Sequence, residues 1–207
     1  NPENASYAIE YAQKLIDNGD IDEAIEALEN TLSYNETNNM VYLTLGNAYN
    51  ENSDFDEAVE VLEDLFDLDR NNYRVAMLIS DNSMELDKFD DAYGWASKAL
   101  KISKNNAETL AHMGNLYYKA MQTCRGDNFS RSDKAIALLA YNYFAQAEKK
   151  GNSKYFKQKR WLEENDVLFG RADWFMLDKD IQTTGRVSPA GRCYEWVSES
   201  LTKQSDW

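Results

Sequence analysis

The chain has 207 residues, 22 lysines and arginines against 36 aspartates and glutamates, and a formal net charge of −14. That acidity argues against nucleic-acid binding, which needs a basic surface to meet phosphates. The sequence contains no uninterrupted apolar run of the roughly 18 residues a transmembrane helix needs. Only two prolines and nine glycines interrupt it, so long stretches are free to be helical, and the length suits one elongated domain.

The chain repeats itself every 34 residues. Tyr42-Leu43-Thr44-Leu45-Gly46-Asn47-Ala48-Tyr49 matches Leu110-Ala111-His112-Met113-Gly114-Asn115-Leu116-Tyr117 two periods later, with Ala76, Ile79, Ser80 and Met84 in the intermediate copy. A second series agrees: Asp20-Ile21-Asp22-Glu23-Ala24, Asp54-Phe55-Asp56-Glu57-Ala58, then Lys88-Phe89-Asp90-Asp91-Ala92. A period of this size predicts a stack of identical supersecondary units, none of which can bury its apolar face alone. The copies span residues 5–38, 39–72, 73–106 and 107–152.

These residues resemble the tetratricopeptide repeat, a helix-turn-helix of the same length. Its small residue on the first helix corresponds to Ala12, Gly46, Ser80 and Gly114, and the one opening the second helix to Ala24, Ala58 and Ala92. The resemblance implies an all-α, right-handed helical solenoid and a protein that holds a partner. The proline that often closes such a unit is absent. Asn38-Asn39, Asn71-Asn72 and Asn105-Asn106 stand there instead, where asparagine tolerates left-handed geometry. Asp22, Asp56 and Asp90 are placed to cap each second helix and oppose its dipole.

The fourth copy departs from the period. Its second-helix signature, Ala140, Phe144 and Ala147, comes 14 residues late, after a polar, loop-like insertion at about 123–136. Insertions between repeat helices emerge on one face and often carry binding function. A closing helix is expected within 153–170, amphipathic through Tyr155, Phe156, Trp161 and Leu162, because a solenoid must cover its last apolar face. A short turn follows at 172–176. The extension 171–207 reads as a β-hairpin, with Thr183–Val187 and Arg192–Val197 flanking the turn Ser188-Pro189-Ala190-Gly191. Gly126-Asp127-Asn128-Phe129-Ser130-Arg131, Tyr141–Ala147 and Tyr194–Ser200 also look like the C-terminal region of tetratricopeptide proteins from gut anaerobic bacteria. That likeness implies an exported or envelope-associated protein and carries over no catalytic residue. The chain opens on Asn1 rather than methionine, which points to a removed upstream segment.

Gln13, Asn47, Asp81 and Asn115 recur one period apart, so stacking should align them as a polar ladder along the concave groove. Ile9, Leu43, Met77 and Ala111 form an apolar row beside them, with Tyr118 nearby. Side-chain amides donate and accept at once and can satisfy the backbone of an extended peptide. Tetratricopeptide units that clamp a chaperone's C-terminal carboxylate use groove lysines; here Ile9, Thr44 and Leu78 stand in those slots. Basic charge gathers at Lys150, Lys154, Lys157 and Arg160, either as a solvated helix face or as a patch for the acidic front of a second molecule, making self-association an option.

Little points to chemistry. His112 is the only histidine and falls on an inward-facing slot. Cys124 and Cys193 lack metal-ligand spacing, and in an oxidising compartment they could join the insertion to the extension. No cofactor or metal site is expected, and no enzyme. The sequence therefore predicts a protein–protein interaction scaffold binding an extended or helical peptide, in a periplasmic or envelope assembly, with the cytoplasm as the other compartment. The alternative is a glycan-binding or nutrient-capture accessory protein, suggested by 5 tryptophans and 13 tyrosines.

Overall fold

The structure, a computed structural model, describes residues 4–34 and 36–207. Asn1, on which the expectation of an upstream segment rests, lies outside them. The chain divides into two compact units, Asn1–Lys88 and Phe89–Trp207.

The first unit contains α1 (Ala5–Asn18), α2 (Ile21–Leu32), α3 (Asn39–Asn52), α4 (Phe55–Leu68) and α5 (Tyr73–Glu85), each packed on the next in chain order. The 34-residue period appears here as a start signal. Asn4, Asn38 and Asn72 each sit just before a first helix and accept a hydrogen bond from a backbone N–H of its first turn: Tyr7 (3.2 Å), Met40 (3.0 Å) and Val75 (3.4 Å) respectively. A helix start leaves such N–H groups without intrahelical partners, and an asparagine carbonyl satisfies them. The asparagines thus cap helices rather than supply left-handed turns; of those six, only Asn105 has positive φ, at 57°.

The left-handed residues recur elsewhere, also at the period. Gly19 (φ 90°), Ser53 (φ 66°) and Asp87 (φ 55°) each end a first helix. The next N–H then reaches back to close the helix: Asp20 to the carbonyl of Leu15, Asp54 to Tyr49 and Lys88 to Ser83, all 2.9 Å. Asp22 and Asp56 do not cap: they lie inside the first turns of α2 and α4, where their charge opposes the dipole. Between the helices Ala12, Ala24, Leu28, Val41, Leu45 and Ala48 form a continuous buried core.

The second unit opens with α6 (Phe89–Ser103), α7 (Ala107–Cys124) and α8 (Arg131–Lys149), followed by α9 (Phe156–Glu164), α10 (Arg171–Phe175) and α11 (Lys179–Thr184). Asn106 caps α7 through the Thr109 N–H at 2.9 Å. The late signature of this repeat has a structural counterpart. A Cβ on Gly46 would meet the Leu62 side chain at 2.8 Å, and one on Gly114 would meet the Phe144 ring at 2.6 Å. Leu62 follows its glycine by sixteen residues and Phe144 by thirty, so the same close helix crossing is kept across 14 added residues. The addition is mostly helical rather than loop-like: α7 and α8 are both lengthened, and only residues 125–130 separate them. Ser130 and Asp133 start α8 with a reciprocal capping box.

Strand β1 (Arg186–Val187) pairs antiparallel with β2 (Leu201–Thr202), in the register Arg186 to Thr202 and Val187 to Leu201. The expected hairpin partner, 192–197, instead holds a turn of 3-10 helix at Arg192–Tyr194, and residues 179–184 are helix rather than strand. Long-range anchors explain the difference. Cys193 is joined to Cys124 by a disulfide, and the Tyr194 hydroxyl donates to the buried Asp133 carboxylate at 2.5 Å. Trp196 stacks on Tyr117 with ring centroids 5.7 Å apart. A two-residue ladder cannot compete with those contacts for the path of the chain.

Candidate functional site

In the first unit the first-helix face carries the residues the period singles out. Gln13 and Asn47 are exposed, and Ile9, Leu43, Met77 and Asp81 are half-buried. Gln13 and Asn47 line one shared hollow of about 210 Å³ together with Ile16, Thr44, Asn50 and Glu51. Both come from the middle of a first helix, α1 and α3, one repeat apart, so the stacking of two units builds the hollow. Gln13 is oriented by Asp17, whose carboxylate accepts from its amide at 3.1 Å. Asn50 extends the polar run by donating to Asn82 Oδ1 at 2.7 Å, and Asn82 in turn donates to the Leu78 carbonyl. Sequence reasoning missed Asn50 and Asn82; their offset of 32 rather than 34 hides them from a search for one fixed period.

Thr44, on the wall of this hollow, returns its hydroxyl to the Met40 carbonyl at 2.7 Å. The floor therefore presents amides and one carboxylate, Glu51, with Ile16 as an apolar contact. Such a surface can donate to backbone carbonyls and accept from backbone N–H groups without reading side chains.

The second unit treats its first-helix face differently. Asn115 is half-buried. Ala111, expected on the ligand row, is 2% exposed and belongs to a buried cluster with Leu110 and Ala147 against which Tyr155 packs. The Tyr118 ring meets Trp161 of α9 edge-on at 6.1 Å and also contacts Phe144. Tyr155 and the closing helix thus occupy the place where a partner would touch these two residues.

The basic patch is partly neutralised. Arg160 pairs with Glu164 at 2.6 Å, and Lys150 donates to the Asn105 carbonyl at 2.6 Å. Lys154 lies 5.1 Å from the centre of the Tyr155 ring, while Lys157 is exposed. His112 is buried, at the inward slot its spacing predicts. Among the described residues no group of three His, Cys, Asp or Glu side chains is arranged to hold a metal ion, and no helix is long and apolar enough to cross a membrane.

Of the five tryptophans behind the glycan alternative, Trp161, Trp174, Trp196 and Trp207 pack on the chain's own aromatic rings. Trp174 and Trp207 are buried against each other, with Phe169 beside Trp207, and Trp196 is held among Phe89, Tyr93 and Tyr117. Tyr117 and Tyr143 both donate to Oε1 of Glu199, at 2.9 and 2.8 Å. Burial first, and the adjacent Glu199 charge second, push both phenols well above their ordinary titration range.

Residues 15–81 match the tetratricopeptide repeat family. No curated protein matches the sequence. Among solved structures, a tetratricopeptide protein of Thermus thermophilus has a TM-score of 0.58 at 16% identity, over 81% of this chain and 84% of that one. MamA protein has a TM-score of 0.51 at 20% identity, over 78% and 93%. YrrB, described as a tetratricopeptide protein with an unusual peptide-binding site, has 0.50 at 14% identity, over 82% and 91%. At these identities the likeness is one of fold. The fold class is all-α, of the tetratricopeptide helical-solenoid type.

Proposed function

We propose that this chain is a non-enzymatic interaction scaffold whose first unit grips an extended peptide segment on its first-helix face. The observation that carries the reading is the hollow shared by Gln13 and Asn47, where amides from successive repeats face the same space. Ile9, Leu43 and Met77 beside them are half-buried, which leaves apolar surface for alternate side chains of a strand-like ligand. YrrB, of similar fold, is described as having a peptide-binding site, and this supports the same use of the architecture.

The site belongs to the first unit, because Ala111 and Tyr118 are occupied by the chain's own aromatic residues. We place the protein in the periplasm or bacterial envelope; the disulfide between Cys124 and Cys193 supports an oxidising compartment. The test is selection of binders from a displayed random peptide library. Selected peptides should lose affinity for a Gln13→Ala/Asn47→Ala double variant whose melting temperature is unchanged. Peptides that bind the double variant as well as the parent would remove this face from consideration.

A further inference from the structure

A second hollow, of about 400 Å³, lies wholly within the second unit, between the C-terminal segment and the body of α8. Its size falls in the range of small-ligand sites. Glu199, Tyr143, Asn142, Gln146, Leu139 and Leu201 line it, and Glu199 is the only charged group among its eleven lining residues. The Glu199 carboxylate is held in place by the two tyrosine hydroxyls at 2.9 and 2.8 Å. Those donors are neutral, so they orient the carboxylate without cancelling its charge. Asn105, on another wall, already accepts an ammonium from the chain: Lys150 Nζ lies 2.6 Å from its carbonyl.

We infer that this hollow binds a primary alkylammonium group, either a free amine or a lysyl side chain of a partner. An ammonium has three donors and no acceptor. The carboxylate and the amide oxygens of Asn142 and Gln146 offer it acceptors. Tyr143 lines the hollow beside them, and the leucines offer apolar wall to the methylene chain. The lining itself holds no lysine, arginine or histidine, and the nearby Lys150 ammonium is engaged by the Asn105 carbonyl, so the charge presented to the hollow is that of Glu199. Nothing in this assignment depends on the peptide face of the first unit.

The experiment is calorimetric titration of the intact, oxidised chain with n-butylamine, cadaverine and Nα-acetyl-lysine methylamide, with butan-1-ol and glucose as neutral comparators. The amines should bind, with heats that fall as salt is raised, and the neutral compounds should not. Glu199→Gln keeps an acceptor for both tyrosines while removing the charge, and should weaken amine binding at least tenfold. Gln146→Met, at an exposed rim position, should weaken it about threefold and guards against a folding defect in the first variant. Tighter binding of the acetyl-lysine probe than of butylamine identifies a protein side chain as the source, and the reverse order a free amine. Absence of amine binding, equal binding to Glu199→Gln, or equal binding of glucose overturns the assignment.

Discussion

The hydroxyl of Tyr117, in the middle of α7, donates to Oε1 of Glu199 at 2.9 Å, across 82 residues of sequence. Tyr143 donates to the same oxygen, and Trp196 stacks on the Tyr117 ring. Tyr117→Phe keeps the ring and the stack and removes one charge-assisted hydrogen bond from a buried position. It should cost about 2 kcal/mol, read as a lower urea midpoint for the second unit.

The same tyrosines set a pH limit. Tyr117, Tyr143 and Tyr194 have folded-state values raised above the ordinary value of about 10, chiefly by burial. A raised value means the unfolded chain loses these protons first. The stability they give is therefore complete below about pH 10 and is lost as pH climbs toward the folded values. The phenolate absorbance of these three should appear only together with loss of helical circular dichroism. A single smooth titration preceding unfolding would contradict their burial.

Glycines on the helices sort by what surrounds them. Gly94, on an exposed face of α6, has open space where a Cβ would go, so Gly94→Ala should stabilise by about 0.5–1 kcal/mol. Gly114→Ala would press on the Phe144 ring and on the Ala140 carbonyl, and should destabilise by about 1–3 kcal/mol. Gly46→Ala meets the buried Leu62 side chain but no backbone atom, and should fall between them. Thermal melts of the three variants give the order.

The left-handed stops predict a stabilising change. Asp87 holds φ 55° where the equivalent residue of the first repeat is glycine. Asp87→Gly should add about 1 kcal/mol, since a side chain pays roughly that much to sit in this region. Gly19→Ala should have the opposite effect. Hydrogen exchange at the ends of α1 and α5 would report both.

The disulfide closes a loop of 69 residues, for which the chain-entropy estimate is about 4 kcal/mol. Reduction, or Cys124→Ser, should lower the stability of the second unit by up to about that amount. Residues 4–88 should keep their exchange protection. Equal loss in both units would mean that the two unfold as one.

The repeat architecture was legible because it is written locally. Ala24 and Ala58 recur where helices cross and are fully buried, and Gly46 and Gly114 recur where a Cβ has no room. The helix stops were less visible, since Gly19, Ser53 and Asp87 share a backbone conformation but no chemistry. The C-terminal path was misread because Pro189 and Gly191 signal a turn without saying what pairs beyond it. Cys124, Asp133 and Tyr117, each more than fifty residues away, decide that. Half of the candidate site followed the same division. Gln13 and Asn47, one period apart, line one hollow, whereas Ala111 and Tyr118 are covered by aromatic residues that follow α8 and obey no period.

Four of the tail's contacts fall on the 14 extra residues of the fourth repeat or on their immediate borders, beside those that Trp196 and Glu199 make with Tyr117 and Tyr143. Cys124 holds Cys193, Ser132 accepts from the Ala190 N–H at 3.0 Å, Asp133 receives Tyr194, and Lys134 pairs with Asp173 at 3.3 Å. A repeat of ordinary length would offer none of these moorings. Shortening the fourth repeat to the regular length would therefore release the segment from Asp173 to Tyr194 from its body, leaving Trp196 and Glu199 as the tail's hold on α7 and α8.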